Sequence, residues 1–253
     1  MYRYVKAPPG YTLKKSRSLG QNLRTILSAV FLTTGIATFT TVAYPLISYE
    51  LKYAPRLTVH NLLSPAVDPS AELGVVPAAR AQEPTFLPEM INTTLDYTDA
   101  SVWFRSNSQK NNVATTARLY TLSINSLGIA NATVRSDHTD LKKTLIHYPG
   151  TASPGELGNT VIFGHSVLPQ FFDPQNYVSI FSTLHTLEVG EDILISDEGA
   201  LYTYKIYDMY EVTPDDLSPL AQTYDRRRLT LITCTPPGTY LRRLIIKAEL
   251  QDI

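Results

Sequence analysis

The feature that most limits the fold of this chain is an uncharged run from Thr25 to Tyr49, which contains no Asp, Glu, Lys or Arg. As an α-helix it would extend about 37 Å at about 1.5 Å per residue, more than the bilayer's hydrocarbon thickness of about 30 Å. The run includes six threonines, whose hydroxyls can bond back to helix carbonyls and are therefore tolerated in lipid. We predict a transmembrane anchor over residues 25–49.

Charge predicts how this anchor is oriented. Residues 1–49 carry six basic residues and no acid, whereas the remainder carries 16 basic and 23 acidic residues. Basic residues before a span favour a cytoplasmic N-terminus, so residues 1–24 form a basic cytoplasmic segment and the bulk lies outside the cell membrane. The apolar run is too long for a cleaved signal peptide, and no small-residue cleavage site follows it closely. The acidic main part argues against nucleic acid as a partner.

Residues 50–112 are interpreted as an extracytoplasmic linker or stalk. Six prolines fall in this stretch, and its apolar segments are short. Such composition favours a partly extended chain. Trp103, the only tryptophan, and Phe104 could instead begin the following domain or cover part of its surface.

The sequence pattern of residues 113–253 predicts a mainly β domain. Apolar and polar residues alternate in several short segments separated by Pro-Gly and Asp-Glu-Gly turn signals. Residues 177–187, with apolar side chains every three positions, predict one short helix. Seven or eight strands at regular spacing favour a single closed or nearly closed β-barrel. The predicted strands occupy 117–129, 132–134, 159–165, 192–197, 200–212, 228–234 and 242–250.

Cys234 is the only cysteine, which excludes an intramolecular disulfide and a multi-cysteine metal site. It ends the apolar strand "RLTLITC", beside a Pro-Pro-Gly loop. A thiol that is partly exposed and close to a base or a cation can act as a nucleophile. A free cysteine is more commonly buried as a small apolar residue, and its position alone leaves both interpretations open.

A histidine and an arginine are the candidate partners of this thiol. His165 closes the apolar strand "NTVIFGH", and the pKa of an imidazole suits proton transfer near neutrality. Arg242 and Arg243 would lie close to Cys234 if the last two strands pair through the "PPGT" loop. Neighbouring strand residues point to opposite faces. Arg243 shares its strand face with both apolar and charged residues, which suits an outer face of the barrel. Arg242 shares its strand face with apolar residues that should point into the barrel. Because Arg242 is at the beginning of the strand, we expect its side chain to bend out to solvent.

The three strand-end residues occur in segments that resemble the sortase family, membrane-anchored cysteine transpeptidases of mostly Gram-positive bacteria. "TLITCTP" is similar to the family's cysteine motif, "GNTVIFGHS" to its histidine strand and "RLIIK" to its arginine strand. The resemblance extends in the family's order over residues 117–250.

This resemblance implies a closed eight-stranded β-barrel with short helices, preceded by one transmembrane helix. It implies cleavage of an LPxTG-like C-terminal sorting signal and transfer of the acyl fragment to an amine of a cell-wall precursor or a pilin lysine. Cys234 would be the nucleophile, His165 the acid–base group and Arg243 the residue that holds the oxyanion. No cofactor or metal is expected. Members that build pili often carry an N-terminal lid with an Asp-Pro-aromatic motif. In this sequence Asp68-Pro69 is followed by Ser70, so the third position of the motif does not match.

Other functions stay open at this point. The chain could be a membrane-tethered binding module with a structural cysteine, which a thiol-reactive probe would distinguish from a nucleophile. L,D-transpeptidases also combine a membrane segment with a β domain, but their Ser-His-Gly-Cys signature is absent here. Papain-like peptidases place cysteine before histidine, the reverse of the order in this chain.

Overall fold

The computed structural model describes residues 19–57, 96, 98–103 and 118–251. The chain divides into two units, Met1–Pro45 and Leu46–Ile253. The elements of the described residues include two α-helices and eight β-strands: α1 Leu19–Lys52, α2 Ala54–Leu57, β1 Leu119–Ile124, β2 Ile129–Arg135, β3 Leu145–His147, β4 Gly158–Phe163, β5 Asp192–Asp197, β6 Ala200–Val212, β7 Arg227–Thr235 and β8 Arg242–Leu250.

The first unit holds most of α1, which is long and apolar enough to cross a membrane. Its large apolar side chains are exposed along its length, with Phe31 69% and Phe39 73% accessible. The threonine hydroxyls donate to helix carbonyls one turn back, as from Thr34 to Val30 at 2.7 Å. The polar groups are thus satisfied within the helix while its apolar surface remains open, which suits lipid as the surrounding medium.

The second unit contains the predicted closed eight-stranded β-barrel. The strands follow the order β1-β2-β3-β4-β7-β8-β6-β5, and pairing of β1 with β5 closes the barrel. The β2–β3 and β4–β7 pairs are parallel. β3 was not among the strands predicted from the sequence, because three residues are too few to show alternation.

The short helix predicted over residues 177–187 is confirmed only in its last part, and it is not an α-helix. The structure has turns there and a three-residue 3₁₀ helix, Leu184–Thr186. Side chains three positions apart align along a 3₁₀ turn, so the spacing of three also fits this conformation. Phe181, Leu184 and Leu187 are buried in the main core cluster, and the apolar pattern therefore reflects burial without an α-helix.

Strand β8 separates two apolar clusters. Leu244, Ile246 and Ala248 join the large core cluster that includes residues from all the long strands. Ile245 joins a second cluster, called here the groove cluster, which contains Val161, Phe163, Ile232, Cys234 and Trp103 among others. The alternation follows the pleat of the strand, so Cys234 lies on the face opposite the main core.

The last residue of the predicted anchor, Tyr49, and two parts of the predicted linker pack on the barrel. Tyr49, Ala54 and Leu57 are buried in the main core cluster. Residues 98–103 pair with the loop before β3, with hydrogen bonds from Ala100 N to Thr139 O and from Leu141 N to Thr98 O, both 2.9 Å. The Asp68-Pro69-Ser70 segment and Phe104 lie outside the described residues.

Candidate active site

The predicted pairing of the last two strands is confirmed, and it brings Cys234 together with Arg243. β7 and β8 are antiparallel, and Cys234 is directly opposite Arg243 in their register. The next pair, Thr235 with Arg242, is the last before the loop. Residues directly opposite on one sheet face have Cβ atoms about 5 Å apart, so the guanidinium and the thiol belong to the same local surface.

The Arg243 side chain is held in place by backbone carbonyls. It is 1% exposed. Nη1 donates to the carbonyls of Tyr240 and Arg242, both at 3.2 Å, and Nη2 donates to the carbonyl of Trp103 at 3.0 Å. The guanidinium carbon also lies 5.5 Å from the centre of the Trp103 ring, within cation–π range. Among the described residues, Nε of Arg243 has no hydrogen-bond partner.

His165 follows β4, which runs parallel to β7. Gly164 continues the ladder by donating from its backbone N to Ile232 O at 3.1 Å. A Cβ at position 164 would come within 2.2 Å of the Phe181 ring. Only glycine fits this close approach, so the glycine before His165 lets the strand pass the ring and present the imidazole at its end.

Two hydrogen bonds fix His165 at the level of the cysteine. Thr233 Oγ1 donates to Gly164 O at 2.9 Å, and Ser166 Oγ donates to Cys234 O at 2.8 Å. The residues on both sides of His165 are therefore hydrogen-bonded to the last residues of β7. Because a carbonyl only accepts, the 2.7 Å contact with Val178 O assigns a proton to His165 Nδ1. Nε2 is then the nitrogen that can exchange a proton with a reacting group.

Burial sets the protonation of both groups. It raises the pKa of Cys234 to about 11, against the opposing charge of Arg243. It also lowers the pKa of His165, and the hydrogen bond to the Val178 carbonyl opposes this shift. Both shifts favour the uncharged form, so near neutral pH the site holds a thiol and a neutral imidazole. Such a pair can form a thiolate by proton transfer and can move protons in either direction.

Comparison with known proteins identifies the family of this chain. The family model described as Sortase domain matches residues 122–251, just over half of the chain. The chain belongs to the sortase family. A 72-residue stretch is 35% identical to sortase A of Streptococcus agalactiae serotype III (strain NEM316), covering 28% of this chain and 29% of that protein. The chain thus spans less than a third of the length of that curated relative.

Solved sortase structures are similar as well. A Clostridium perfringens sortase D5 transpeptidase shares 28% identity, with 53% of this chain and 79% of that chain covered and a TM-score of 0.46. A pilus-related sortase C of Group B Streptococcus shares 25% identity, with 55% and 69% covered and a TM-score of 0.47.

The groove cluster of this sortase gives Cys234 an apolar surrounding. Trp103 is fully buried, and its ring stacks on Phe163 at 5.5 Å between ring centres with 21° between planes. Trp103 therefore lies in the same buried cluster as Cys234 and next to the Arg243 guanidinium. The sequence suggested a covering role for Trp103 only as one of two possibilities, because a lone tryptophan in a proline-containing stretch does not show what it packs against.

Arg242 does not bend out to solvent as expected. Its Nε forms an ion pair with Glu211 Oε2 at 3.1 Å, and its Nη2 pairs with Glu50. An arginine in the interior phase of a strand requires an acidic partner to offset its desolvation, and Glu211 of β6 supplies it. The face assignment of Arg242 and Arg243 is otherwise as predicted.

Proposed function

We propose that this sortase is a membrane-anchored cysteine transpeptidase that cleaves an LPxTG-like C-terminal sorting signal. The acyl fragment would be joined to an amine of the cell envelope or to a pilin lysine. One observation carries the proposal: Cys234 lies directly opposite Arg243 in the β7–β8 register, and His165 comes just after β4, the strand on the other side of β7.

The proposed reaction has two acyl-transfer steps. The Cys234 thiol first gives its proton to His165; the thiolate then attacks the threonine carbonyl carbon, and the resulting oxyanion is held by Arg243. When the intermediate collapses, the C–N bond breaks, the glycine amine leaves with a proton from His165, and a thioester remains. The acceptor amine then attacks the thioester carbonyl and gives its proton to His165, and the Cys234 thiolate is released. Atoms and protons balance without a further reactant.

Two local features support the assignment of Arg243. Its Nε is a buried donor with no hydrogen-bond partner in the part of the chain that the structure describes, and burying a donor without a partner is costly. An acyl oxygen at this position would satisfy that donor. The second feature is that Nη1 and Nη2 are held by the carbonyls of Tyr240, Arg242 and Trp103, which fixes the position of the unpartnered Nε.

The proposed membrane location suits this chemistry. With residues 1–24 in the cytoplasm and 25–49 as the anchor, the catalytic domain of residues 113–253 would work on the outer face. Substrates with a hydrophobic tail and the enzyme would then share one membrane surface, which raises their effective concentration.

A second function is favoured by one observation. Cys234 is only 2% exposed, and its raised pKa is what a structural thiol in a binding module would show. The two functions differ in whether an acyl group ever becomes attached to this sulfur.

Incubation with a panel of sorting peptides and amine acceptors, followed by mass spectrometry of the products, tests the proposal. We expect cleavage between Thr and Gly of at least one peptide, and a new amide between its N-terminal fragment and an acceptor. The Cys234→Ala variant is the matched control and should give neither product. Identical product patterns from the wild-type protein and this variant would contradict the proposal.

A further inference from the structure

Behind the reactive pair lies a group of polar residues that the proposed mechanism does not use. We call it the helix-end cluster; it consists of Tyr49 and Glu50 at the end of α1, and Glu211, Thr235 and Arg242 of the barrel. Thr235 and Arg242 are the last pair of the β7–β8 ladder. Because neighbouring strand residues face opposite sides, this pair lies back to back with Cys234 and Arg243.

Glu211 is the centre of the helix-end cluster. It is 3% exposed. Its Oε1 accepts hydrogen bonds from the Tyr49 hydroxyl at 2.5 Å and from Thr235 Oγ1 at 3.0 Å, and its Oε2 pairs with Arg242 Nε at 3.1 Å. A buried carboxylate is expensive unless it is paired and hydrogen-bonded. These three contacts reach the last strand pair and the end of α1.

The contacts of Glu211 restrain the strand ends that carry the reactive residues. A strand end frays easily where a loop follows, and here the ladder ends one residue past Cys234 and one residue before Arg243. Glu211 connects Thr235 of β7 to Arg242 of β8 from the opposite face. Tyr49 closes the arrangement from the helix, because its hydroxyl contacts both Glu211 and Thr235.

We propose that Glu211 and Tyr49 are positioning residues of the active site, and that the end of α1 completes it. If the proposed function holds, the end of α1 takes part in catalysis, and α1 does more than anchor the chain. The Tyr49 hydroxyl and the Glu211 carboxylate hold Thr235 and Arg242 in register, and thereby hold the Cys234 thiol opposite the Arg243 guanidinium. Loss of either group would loosen the pair without removing a group that touches substrate.

The test uses the full chain and its single thiol. Tyr49→Phe removes one hydroxyl and keeps the ring that contacts His185 at 5.1 Å. Tyr53→Phe is the matched control: Tyr53 lies one turn further along the chain and also contacts the His185 ring, at 4.6 Å. The readouts are the alkylation rate of Cys234 in the folded protein, and kcat and KM for a sorting peptide.

We expect Tyr49→Phe to accelerate alkylation of Cys234 at least about threefold and to lower kcat about tenfold, with KM changed less than about twofold. A loosened thiol is easier to reach but is less well aligned with Arg243. Tyr53→Phe should match the wild type. Adding Tyr49→Phe to Glu211→Leu should have little further effect, because the leucine variant already lacks the acceptor through which the Tyr49 hydroxyl acts.

Alkylation decides the outcome even if no peptide is turned over, so failure of the proposed function and failure of this inference can be told apart. An alkylation rate in Tyr49→Phe equal to that of Tyr53→Phe would overturn the positioning role, whatever happens to thermal stability. So would equal acceleration by Tyr49→Phe in the presence and absence of Glu211→Leu. If Glu211→Leu does not fold, the comparison of the two tyrosine variants still decides.

Discussion

Removing the Trp103 side chain should activate the Cys234 thiol. Trp103 is fully buried, stacks on Phe163 and shares the groove cluster with Cys234. Its backbone carbonyl also accepts a hydrogen bond from Arg243. The indole therefore belongs to the apolar surrounding that raises the pKa of the thiol. In a Trp103→Ala variant, water should reach the cluster and favour the thiolate.

The size of the effect follows from the burial of the thiol. Burial raises the pKa of Cys234 from 9.0 to about 11. Full relief of that shift would raise the thiolate fraction at pH 7.5 about a hundredfold. Because the nucleophilicity of a thiolate falls with its pKa, with a Brønsted coefficient of about 0.4–0.5, about tenfold of this gain would be lost. Alkylation should therefore be about tenfold faster, before any gain from easier access.

Alkylation of Cys234 by iodoacetamide between about pH 6 and pH 12, followed by mass spectrometry, measures both the rate and the pKa. The inflection should move downward from about 11 toward 9.0, since less burial favours the charged form. Trp103→Phe keeps an aromatic ring and should stay near the wild type. Circular dichroism must confirm folding, because truncating a buried tryptophan costs about 3–5 kcal/mol. An unchanged rate and inflection in folded Trp103→Ala would refute the reasoning.

Three further outcomes are expected. Cys234→Ala should abolish peptide cleavage while circular dichroism shows an intact fold, and peptide turnover by this variant would exclude covalent catalysis at this sulfur. His165→Ala should lower kcat more than about a hundredfold. Arg243→Lys should lower kcat strongly, because a point charge replaces a planar guanidinium with two donors. Arg242→Lys should lower kcat much less, because an ammonium group can keep the ion pairs of this position. If steady-state kinetics show the reverse order, catalysis is assigned to Arg242. Protease added to intact protoplasts should digest residues 50–253, and protection of that part would contradict the proposed orientation.

Most of the barrel was predictable because its signals are local. Alternation of period two identifies a strand and also assigns its faces, which is why Arg243 could be separated from Arg242 before the fold was known. The pairing of Cys234 with Arg243 followed from a short loop between two strands. His165 could be assigned to the end of an apolar strand, but its hydrogen bond to Val178 O depends on a loop with no regular pattern.

The contacts missing from the sequence prediction join distant parts of the chain. Tyr49 and Glu211 are 162 positions apart, and a glutamate near the end of a strand does not differ in sequence from an exposed one. Trp103 likewise packs against β4 and β8 from a proline-containing stretch whose composition suggests extension. Burial of a polar or aromatic side chain depends on what folds over it, and alternation within one segment carries no information about that.

Detection of an acyl-enzyme by intact-protein mass spectrometry tests the central claim most directly. With a sorting peptide and no amine acceptor, the account predicts a protein species heavier by the mass of the N-terminal acyl fragment. The added mass should map to Cys234, should be removed by hydroxylamine as expected for a thioester, and should disappear on addition of an accepting amine. Cleavage of the peptide between Thr and Gly without any adduct on Cys234, even under rapid quenching, would contradict a covalent mechanism at this thiol.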